Sequence, residues 1–130
     1  MRLVLDTHVV LALIGESDIR LPARSAGAIQ AATTLMVSVA SLWEIAIKHR
    51  QHKLKLSVPL GDLPTQLAAM RMRLLPVTAD HSLFELRQLP GTNDPFDRLL
   101  LAVAACEDAL LLTIDNKLVD HPLAWQPAPA

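Results

Sequence analysis

The sequence has little of what several protein classes require. It contains one cysteine, Cys106, among 130 residues, so the chain cannot form an internal disulfide or a cysteine metal cluster. Its longest uninterrupted apolar run, 99–106, has eight residues, whereas a membrane-spanning helix needs about 20. Asp6 interrupts the apolar N-terminus before the hydrophobic core of a signal peptide, about 7 to 15 residues, could form. We therefore expect a cytoplasmic protein that does not enter a membrane.

Aromatic side chains and excess charge are scarce as well. The aromatic residues are Trp43, Phe84, Phe96 and Trp125. Domains that bind RNA by stacking bases on several aromatic residues are therefore disfavoured. Trp43 and Phe96 lie among apolar neighbours at helical spacing, and we expect both in the core. The formal charge of −1 gives no overall attraction to nucleic acid, so any such attraction has to be local.

Short apolar runs that alternate with helical patterns are abundant. The chain is 52% hydrophobic, which favours a folded protein, and its length suits a single domain over 1–130 with a frayed tail at about 126–130. The predicted strands are 2–5, 35–39, 74–77 and 110–114. The predicted helices are about 8–14, 23–32, 42–51, 63–73, 79–88 and 96–107. Because the runs are apolar along their whole length, both faces of the sheet are expected to be covered, as in a three-layer α/β/α sandwich with a parallel sheet.

Two helix starts carry capping signals. Ser41 is followed three residues later by Glu44, the spacing of a capping box. Asp94 precedes Pro95, which suits a cap followed by a first-turn proline, and we interpret Asp94 as structural.

Acidic residues recur where such a sheet would bind a ligand. Asp6 directly follows the first predicted strand, and Asp115 directly follows the strong apolar run of the last one. Glu44 and Asp97 lie in the first turns of predicted helices. Ligands of open α/β sheets bind beyond the carboxyl ends of the strands, so these four carboxylates are expected to converge there.

Four converging carboxylates need a cation. Two carboxylates about 5 Å apart repel each other by roughly 3 kcal/mol at an effective dielectric near 20. Oxygen ligands without a cysteine or histidine set favour Mg²⁺ or Mn²⁺ over zinc. Metal-assisted hydrolysis of a phosphodiester is the natural chemistry of such a site. The whole chain carries −1, so the rest of the chain carries +3 once these four acids are balanced by metal, which makes phosphate binding plausible.

Four sequence blocks, in this order and spacing, resemble the PilT N-terminal (PIN) domain family over about residues 1–125. The blocks are Asp6-Thr7-His8, Ser41-Leu42-Trp43-Glu44-Ile45-Ala46-Ile47-Lys48, Asp94-Pro95-Phe96-Asp97-Arg98-Leu99-Leu100 and Thr113-Ile114-Asp115. The third block is specific to the family, whereas a match such as Thr-x-Asp would be weak alone.

The resemblance implies a five-stranded parallel sheet and a ribonuclease that depends on Mg²⁺ or Mn²⁺. It places Asp6, Glu44, Asp97 and Asp115 at the family's acidic metal positions. A chain of this length resembles a VapC-type toxin, which implies a homodimer neutralised by a small antitoxin. Many relatives carry a histidine where this chain has Thr92, which leaves the local hydrogen bonding open. The fifth strand would lie near 123–125, crowded by flanking prolines.

Each acid also has a structural alternative. Asp6 could cap the following helix, and Glu44 could serve only the capping box. Asp97 could interact only with the helix dipole, and Asp115 could be a turn residue.

Candidate nucleic-acid contacts are fewer. The stretch 48–55 is basic, and Lys48, Arg50 and Arg98 are the candidates for binding RNA phosphates. A solvated helix end is the alternative for the first two residues, and orientation of the neighbouring Asp97 carboxylate is the alternative for Arg98. His8 follows Asp6 closely, but we expect a partly buried histidine with a satisfied partner.

The functions compatible with these residues differ in class. The favoured function is a metal-dependent endoribonuclease that leaves 5′-phosphates. A metal-free route through histidines has no supporting spacing. A phosphoacceptor domain lacks an aspartate at the end of the second strand. A catalytically silent interaction module, whose acids bind a basic partner segment, stays open.

Dimerisation would use an apolar patch outside the core. The helices at about 23–32 and 63–73 are the candidate interface elements, because Leu67, Met70 and Met72 could form such a patch.

Overall fold

The computed structural model describes residues 1–127, and the predicted frayed tail falls partly on 128–130, which lie outside the described residues. The strands are β1 (Arg2–Leu5), β2 (Thr34–Ser38), β3 (Met72–Leu75) and β4 (Leu110–Leu112). The α-helices are α1 (Thr7–Leu13), α2 (Ala23–Ala31), α3 (Val39–Arg50), α4 (Leu63–Ala69), α5 (Ala79–Leu83) and α6 (Pro95–Cys106), and a short 3-10 helix spans Leu60–Asp62. No helix in the described part of the chain is long and apolar enough to cross a membrane.

The four strands form one parallel sheet in the order β3-β2-β1-β4. Successive side chains of a strand point to opposite faces, so every strand feeds two apolar layers. Val4 and Leu111 lie in a fully buried cluster with Leu100 and Leu101 of α6. Side chains of the other face pack with residues of α1, α2 and α4. The predicted three-layer parallel α/β sandwich is therefore confirmed.

The predicted fifth strand is wrong. Ala124 forms an isolated parallel bridge with Leu111, supported by two backbone hydrogen bonds of 2.8 Å that Leu111 shares with Leu123 and Trp125. Pro122 lies just before this bridge and Pro127 shortly after it. Proline lacks an amide hydrogen and fixes φ, so the pairing does not extend into a strand.

Several predicted boundaries move as well. The helix predicted over 63–73 ends at Ala69, because Arg71 adopts a left-handed conformation with φ of 59°. Strand β3 then begins at Met72, two residues earlier than predicted, and Met72 pairs with Leu35. The helix predicted over 79–88 stops at Leu83, because Phe84 has extended backbone angles.

The predicted dimer patch is wrong in two of its three residues. Leu67 and Met72 are 1% and 5% exposed, because both side chains face the sheet core. Met70 is 43% exposed. A surface built from the three side chains together does not exist.

Candidate active site

The carboxyl ends of β1 and β4 form the centre of the candidate site. The two strands are neighbours, and the Asp6 amide donates a hydrogen bond to the Leu112 carbonyl at 3.0 Å. The order of the strands switches sides here, since the chain adds β2 and β3 on one side of β1 and β4 on the other. Such a switch point opens a crevice beyond the strand ends. Asp6 and Thr113, the residues that follow the two strands, are thereby placed at the crevice.

Asp6 is a buried carboxylate that accepts a hydrogen bond from a threonine hydroxyl. It is 3% exposed, and the Thr113 hydroxyl donates to its Oδ2 at 2.6 Å. Burial raises the pKa of Asp6 above its ordinary value. The hydrogen bond from Thr113 and the charge of His8 act in the opposite direction and offset only part of this rise. Asp6 occupies the N-cap position of α1, yet its side chain makes no capping hydrogen bond. The alternative role as a helix cap is therefore wrong.

Glu44 lies deeper in its helix than predicted. Helix α3 begins at Val39, and Ser38 is its N-cap, with its hydroxyl accepting from the Ala40 amide at 3.1 Å. The predicted capping box of Ser41 and Glu44 is therefore wrong, because the helix starts one turn earlier. Glu44 is 7% exposed, and its Oε2 lies 2.7 Å from the Lys48 ammonium nitrogen.

Helix α6 begins as predicted and presents Asp97 in its first turn. The Asp94 Oδ1 accepts a hydrogen bond from the Phe96 amide at 2.9 Å, and Pro95 is the first helical residue. Burial, together with the negative charges of Asp94, Asp6 and Asp115, raises the pKa of Asp97 to about 6 against a hydrogen bond from Thr92. Asp97 therefore lies close enough to Asp6 and Asp115, the acids that follow β1 and β4, to interact with both electrostatically.

Thr92 occupies the position at which many relatives carry histidine. Its hydroxyl accepts a hydrogen bond from the Asp94 amide at 3.1 Å. Its hydrogen bond to Asp97 lowers the pKa of that carboxyl. At this position the Thr92 hydroxyl therefore makes the hydrogen bonds to Asp94 and Asp97 that the sequence left open.

Asp115 is both a turn residue and part of this edge. Its Oδ1 accepts a hydrogen bond from the Lys117 amide at 2.9 Å, so the turn interpretation is confirmed. Its own amide donates to the Thr113 hydroxyl at 3.0 Å. Thr113 therefore connects Asp115 to the buried Asp6. Sequence reasoning missed this role, although a hydroxyl residue between a strand end and an aspartate is a signal for such a link.

The donor set suits a hard divalent cation in its chemistry. The four predicted acids supply only oxygen atoms, which are the ligands that hard divalent cations prefer. Burial, and after it the negative charges of Asp94, Asp6 and Asp115, raise the pKa of Asp97. Within residues 1–127, no group of three or more His, Cys, Asp or Glu side chains is drawn together tightly enough to hold an ion. Asp6 interacts electrostatically with Glu44 and Asp97, and Asp97 interacts with Asp115, so the acids share one edge of the sheet without forming a tight cluster.

The three predicted RNA-contacting residues occupy different environments. Lys48 is paired with Glu44. Arg98 donates to the Thr92 carbonyl at 3.4 Å and to Asn93 Oδ1 at 3.2 Å. Arg50, the last residue of α3, is exposed.

Two further predictions are wrong in burial. His8 is exposed, although a partly buried histidine was expected, because its side chain leaves α1 away from the core. Trp43 is 62% exposed, although a core position was expected, and Phe96 is half-buried against it.

Substitution of Asp94 separates its capping role from metal binding. We expect Asp94→Ala to destabilise the protein by about 1 kcal/mol, and Asp94→Asn to cost much less because asparagine also caps helices. Both variants are expected to keep the rise in melting temperature caused by Mn²⁺, measured by thermal denaturation. If the asparagine variant lost that rise, Asp94 would be a metal ligand.

Comparisons with known proteins show the family of the chain. Residues 3–122 match the PIN domain family. Ribonuclease VapC22 of Mycobacterium tuberculosis (strain ATCC 25618 / H37Rv) is 31% identical over 120 residues, which cover 91% of this chain and 90% of the relative.

Two solved structures share the fold at low sequence identity. A toxin-antitoxin complex from Klebsiella pneumoniae has a TM-score of 0.56 at 14% identity, covering 98% of each chain. VapBC2 from Rickettsia felis, bound to a DNA fragment from its promoter, has a TM-score of 0.58 at 15% identity, covering 95% of this chain and 96% of that one. On the match over residues 3–122 and the 31% identity to a VapC ribonuclease, the chain belongs to the PIN domain family.

Proposed function

We propose that the protein is an endoribonuclease whose activity depends on Mg²⁺ or Mn²⁺ bound by Asp6, Glu44, Asp97 and Asp115. The observation that carries the proposal is that Asp6, Asp97 and Asp115 approach one another at the β1–β4 switch point, where burial and neighbouring carboxylates raise the pKa of Asp97 to about 6. Carboxylates that repel one another in a crevice form a site with affinity for a divalent cation. Similarity to a protein named a ribonuclease supports RNA as the substrate.

The protein's own residues would orient the reaction. A divalent cation bound here would supply activation of water and stabilisation of negative charge on the phosphate. Thr113 fixes the buried carboxylate of Asp6 by its 2.6 Å hydrogen bond, and Lys48 fixes Glu44 at 2.7 Å. Attack of water on phosphorus breaks the bond to the 3′ oxygen, which takes up a proton from water, so one product ends in a 5′-phosphate and the other in a 3′-hydroxyl. Arg98, Lys48 and Arg50 are the proposed contacts to RNA phosphates.

The proposal includes the setting of a toxin–antitoxin pair. Its supports are the similarity to Ribonuclease VapC22 and the fold shared with two toxin–antitoxin structures. We propose a VapC-type toxin that is neutralised by a small antitoxin, forms a homodimer and meets its RNA in the cytoplasm. The dimer does not use the patch of Leu67 and Met72, since both are buried.

A catalytically silent interaction module is the second candidate. The Glu44–Lys48 ion pair favours it, because a lysine ammonium already neutralises one of the four acids. A basic segment of a partner protein could neutralise the others in the same way. This candidate predicts binding of a basic peptide without any RNA cleavage.

Removal of the metal separates the two candidates. Purified protein is incubated with tRNA and rRNA in Mg²⁺, in Mn²⁺ and in EDTA, and the product ends are mapped. We expect cleavage with 5′-phosphates in either metal and none in EDTA. Protein carrying Asp97→Asn, purified in the same way, controls for contaminating nucleases.

The other outcomes of this assay are equally specific. Cleavage that persists in EDTA and leaves cyclic phosphates would contradict the metal-dependent mechanism. A folded protein that binds Mn²⁺ and cuts no RNA in the panel would favour the interaction module.

A further inference from the structure

Trp43 is a large apolar side chain left in solvent beside the acidic edge. It is 62% exposed on α3, and its neighbour Glu44 is 7% exposed. Exposing most of an indole ring forgoes the favourable burial that a tryptophan gains in a core. The exposure of Trp43 is therefore a feature that the fold itself does not explain.

A second aromatic ring braces Trp43 from the other helix of the site. The rings of Trp43 and Phe96 meet edge to face, with centroids 5.9 Å apart and planes inclined at 71°. Phe96 directly precedes Asp97 in α6, as Trp43 directly precedes Glu44 in α3. Two of the four aromatic residues of the chain thus adjoin two proposed metal ligands.

The surroundings of the ring suit a nucleotide. Lys48 lies on α3 one turn beyond Glu44, and Arg98 follows Asp97 on α6, so each helix that carries a ring also carries a cation. Cations on the two helices that carry the aromatic rings match a strand whose phosphates are anionic and whose bases have stacking faces. The helix face is otherwise mixed, with Val39 38% exposed one turn before Trp43 and the charged Arg50 near its other end.

We propose that Trp43, held by Phe96, stacks on an unpaired base of single-stranded RNA next to the phosphate at the acidic edge. The inference rests on the proposed ribonuclease function and adds a residue that selects unpaired RNA. A base inside a duplex presents no free face to the indole ring, so stacking favours an unstacked nucleotide. Stacking on an aromatic residue changes affinity by roughly 10- to 100-fold and depends little on base identity.

Tryptophan fluorescence tests the proposal without requiring cleavage. The protein carries Trp125→Phe, which leaves Trp43 as the sole indole, and Asp97→Asn, which prevents turnover. The probes are a mixed-sequence RNA dodecamer as a single strand and the same dodecamer annealed into a duplex. We expect the single strand to quench Trp43 and the duplex to have a much smaller effect.

Substitutions of Trp43 provide the matched comparison. Trp43→Leu is expected to weaken binding of the single strand by roughly 10- to 100-fold, and Trp43→Phe to keep most of the affinity, since phenylalanine retains a stacking face. Melting temperature and its rise with Mn²⁺ are expected to be unchanged in both variants, because the side chain is exposed. In wild-type protein that cleaves RNA, Trp43→Leu raises KM more than it lowers kcat.

Two outcomes would overturn the proposal. The first is single-stranded RNA binding that Trp43→Leu leaves unaltered or that does not quench Trp43. The second is a shift from dimer to monomer in sedimentation equilibrium with unaltered RNA binding, which would make Trp43 a contact to a second copy of the chain. Failure of the wild-type protein to cleave any RNA would contradict the ribonuclease function, whereas quenching of Trp43 by the single strand tests the stacking role independently of cleavage.

Discussion

Asp97→Asn is expected to lower the rate of RNA cleavage by more than about 100-fold. Loss of a group that merely supports a metal ligand typically costs 10- to 100-fold, and loss of the ligand itself costs more. Asp97 is the carboxyl whose pKa is raised by burial and by the negative charges of Asp94, Asp6 and Asp115. Asparagine keeps its shape and removes its charge. Single-turnover cleavage in Mg²⁺ measures the effect.

The same substitution is expected to stabilise the metal-free protein at neutral pH. The folded-state pKa of Asp97 is about 6, above the ordinary value of 3.8, so the folded protein binds this proton more tightly than the unfolded chain does. The resulting stability is complete below pH 3.8 and is lost as pH rises through 6. Because the group is partly exposed, we discount the full linkage energy to about 1 kcal/mol. At neutral pH the ionised Asp97 carboxylate therefore destabilises the metal-free protein, and Asp97→Asn removes this destabilisation.

Mn²⁺ is expected to reverse the order of stability. In EDTA at pH 7.5 the variant melts roughly 4 °C above the wild type, and the difference vanishes near pH 4. At Mn²⁺ concentrations about 100 times Kd the wild type gains about 2.7 kcal/mol, whereas the variant gains little. Asp108→Asn, two residues beyond the end of α6, is the matched control and should respond as the wild type does. A variant that gains as much from Mn²⁺ as the wild type would contradict Asp97 as a ligand.

Thr113→Val is expected to destabilise the site around Asp6. The Thr113 hydroxyl donates to Asp6 Oδ2 at 2.6 Å, and Asp6 is 3% exposed. Hydrogen bonds to charged groups contribute about 1.5–3 kcal/mol, so we expect a loss of that size at pH 8. Protonation of the Asp6 carboxyl relieves the unpaired charge, so the loss should shrink as pH falls. Chemical denaturation at pH 8 and at lower pH values measures the loss of stability.

Metal affinity gives the second readout for Thr113. A carboxylate that has lost its orienting donor is expected to bind Mn²⁺ 10- to 100-fold more weakly. Thr113→Ser keeps the hydroxyl and should stay close to the wild type in both stability and affinity. Equal behaviour of the valine and serine variants would show that the hydroxyl does not support Asp6.

The fold and the position of the acidic edge could be predicted from local sequence patterns. Strands apolar throughout can only be buried between two layers, which predicts the parallel sandwich. Asp6 directly follows such a strand, and strand ends of a parallel sheet share one edge, so the position of its backbone needs no tertiary knowledge. Asp94 with Pro95 likewise marks the start of α6 by local chemistry alone.

Other features depend on tertiary contacts that no local pattern carries. The sequence predicts Ser41 as a cap, whereas Ser38 caps α3 and the Ser41 hydroxyl accepts a hydrogen bond from Thr7, 34 residues away, at 3.0 Å. Trp43 looks like a core residue among apolar neighbours, yet its place on the helix surface leaves it in solvent. The pairing of Thr113 with Asp6 joins residues 107 apart in the chain.

Calorimetric titration of Mn²⁺ into the wild-type protein and Asp97→Asn tests the central claim most directly. That claim is that the carboxylates at the β1–β4 edge form a divalent metal site. We expect saturable binding by the wild type at pH 7.5, weaker binding at pH 5 because protons compete for Asp97, and at least about 100-fold weaker binding by the variant. Equal Mn²⁺ affinity of the two proteins, or no binding by the folded wild type, would contradict it.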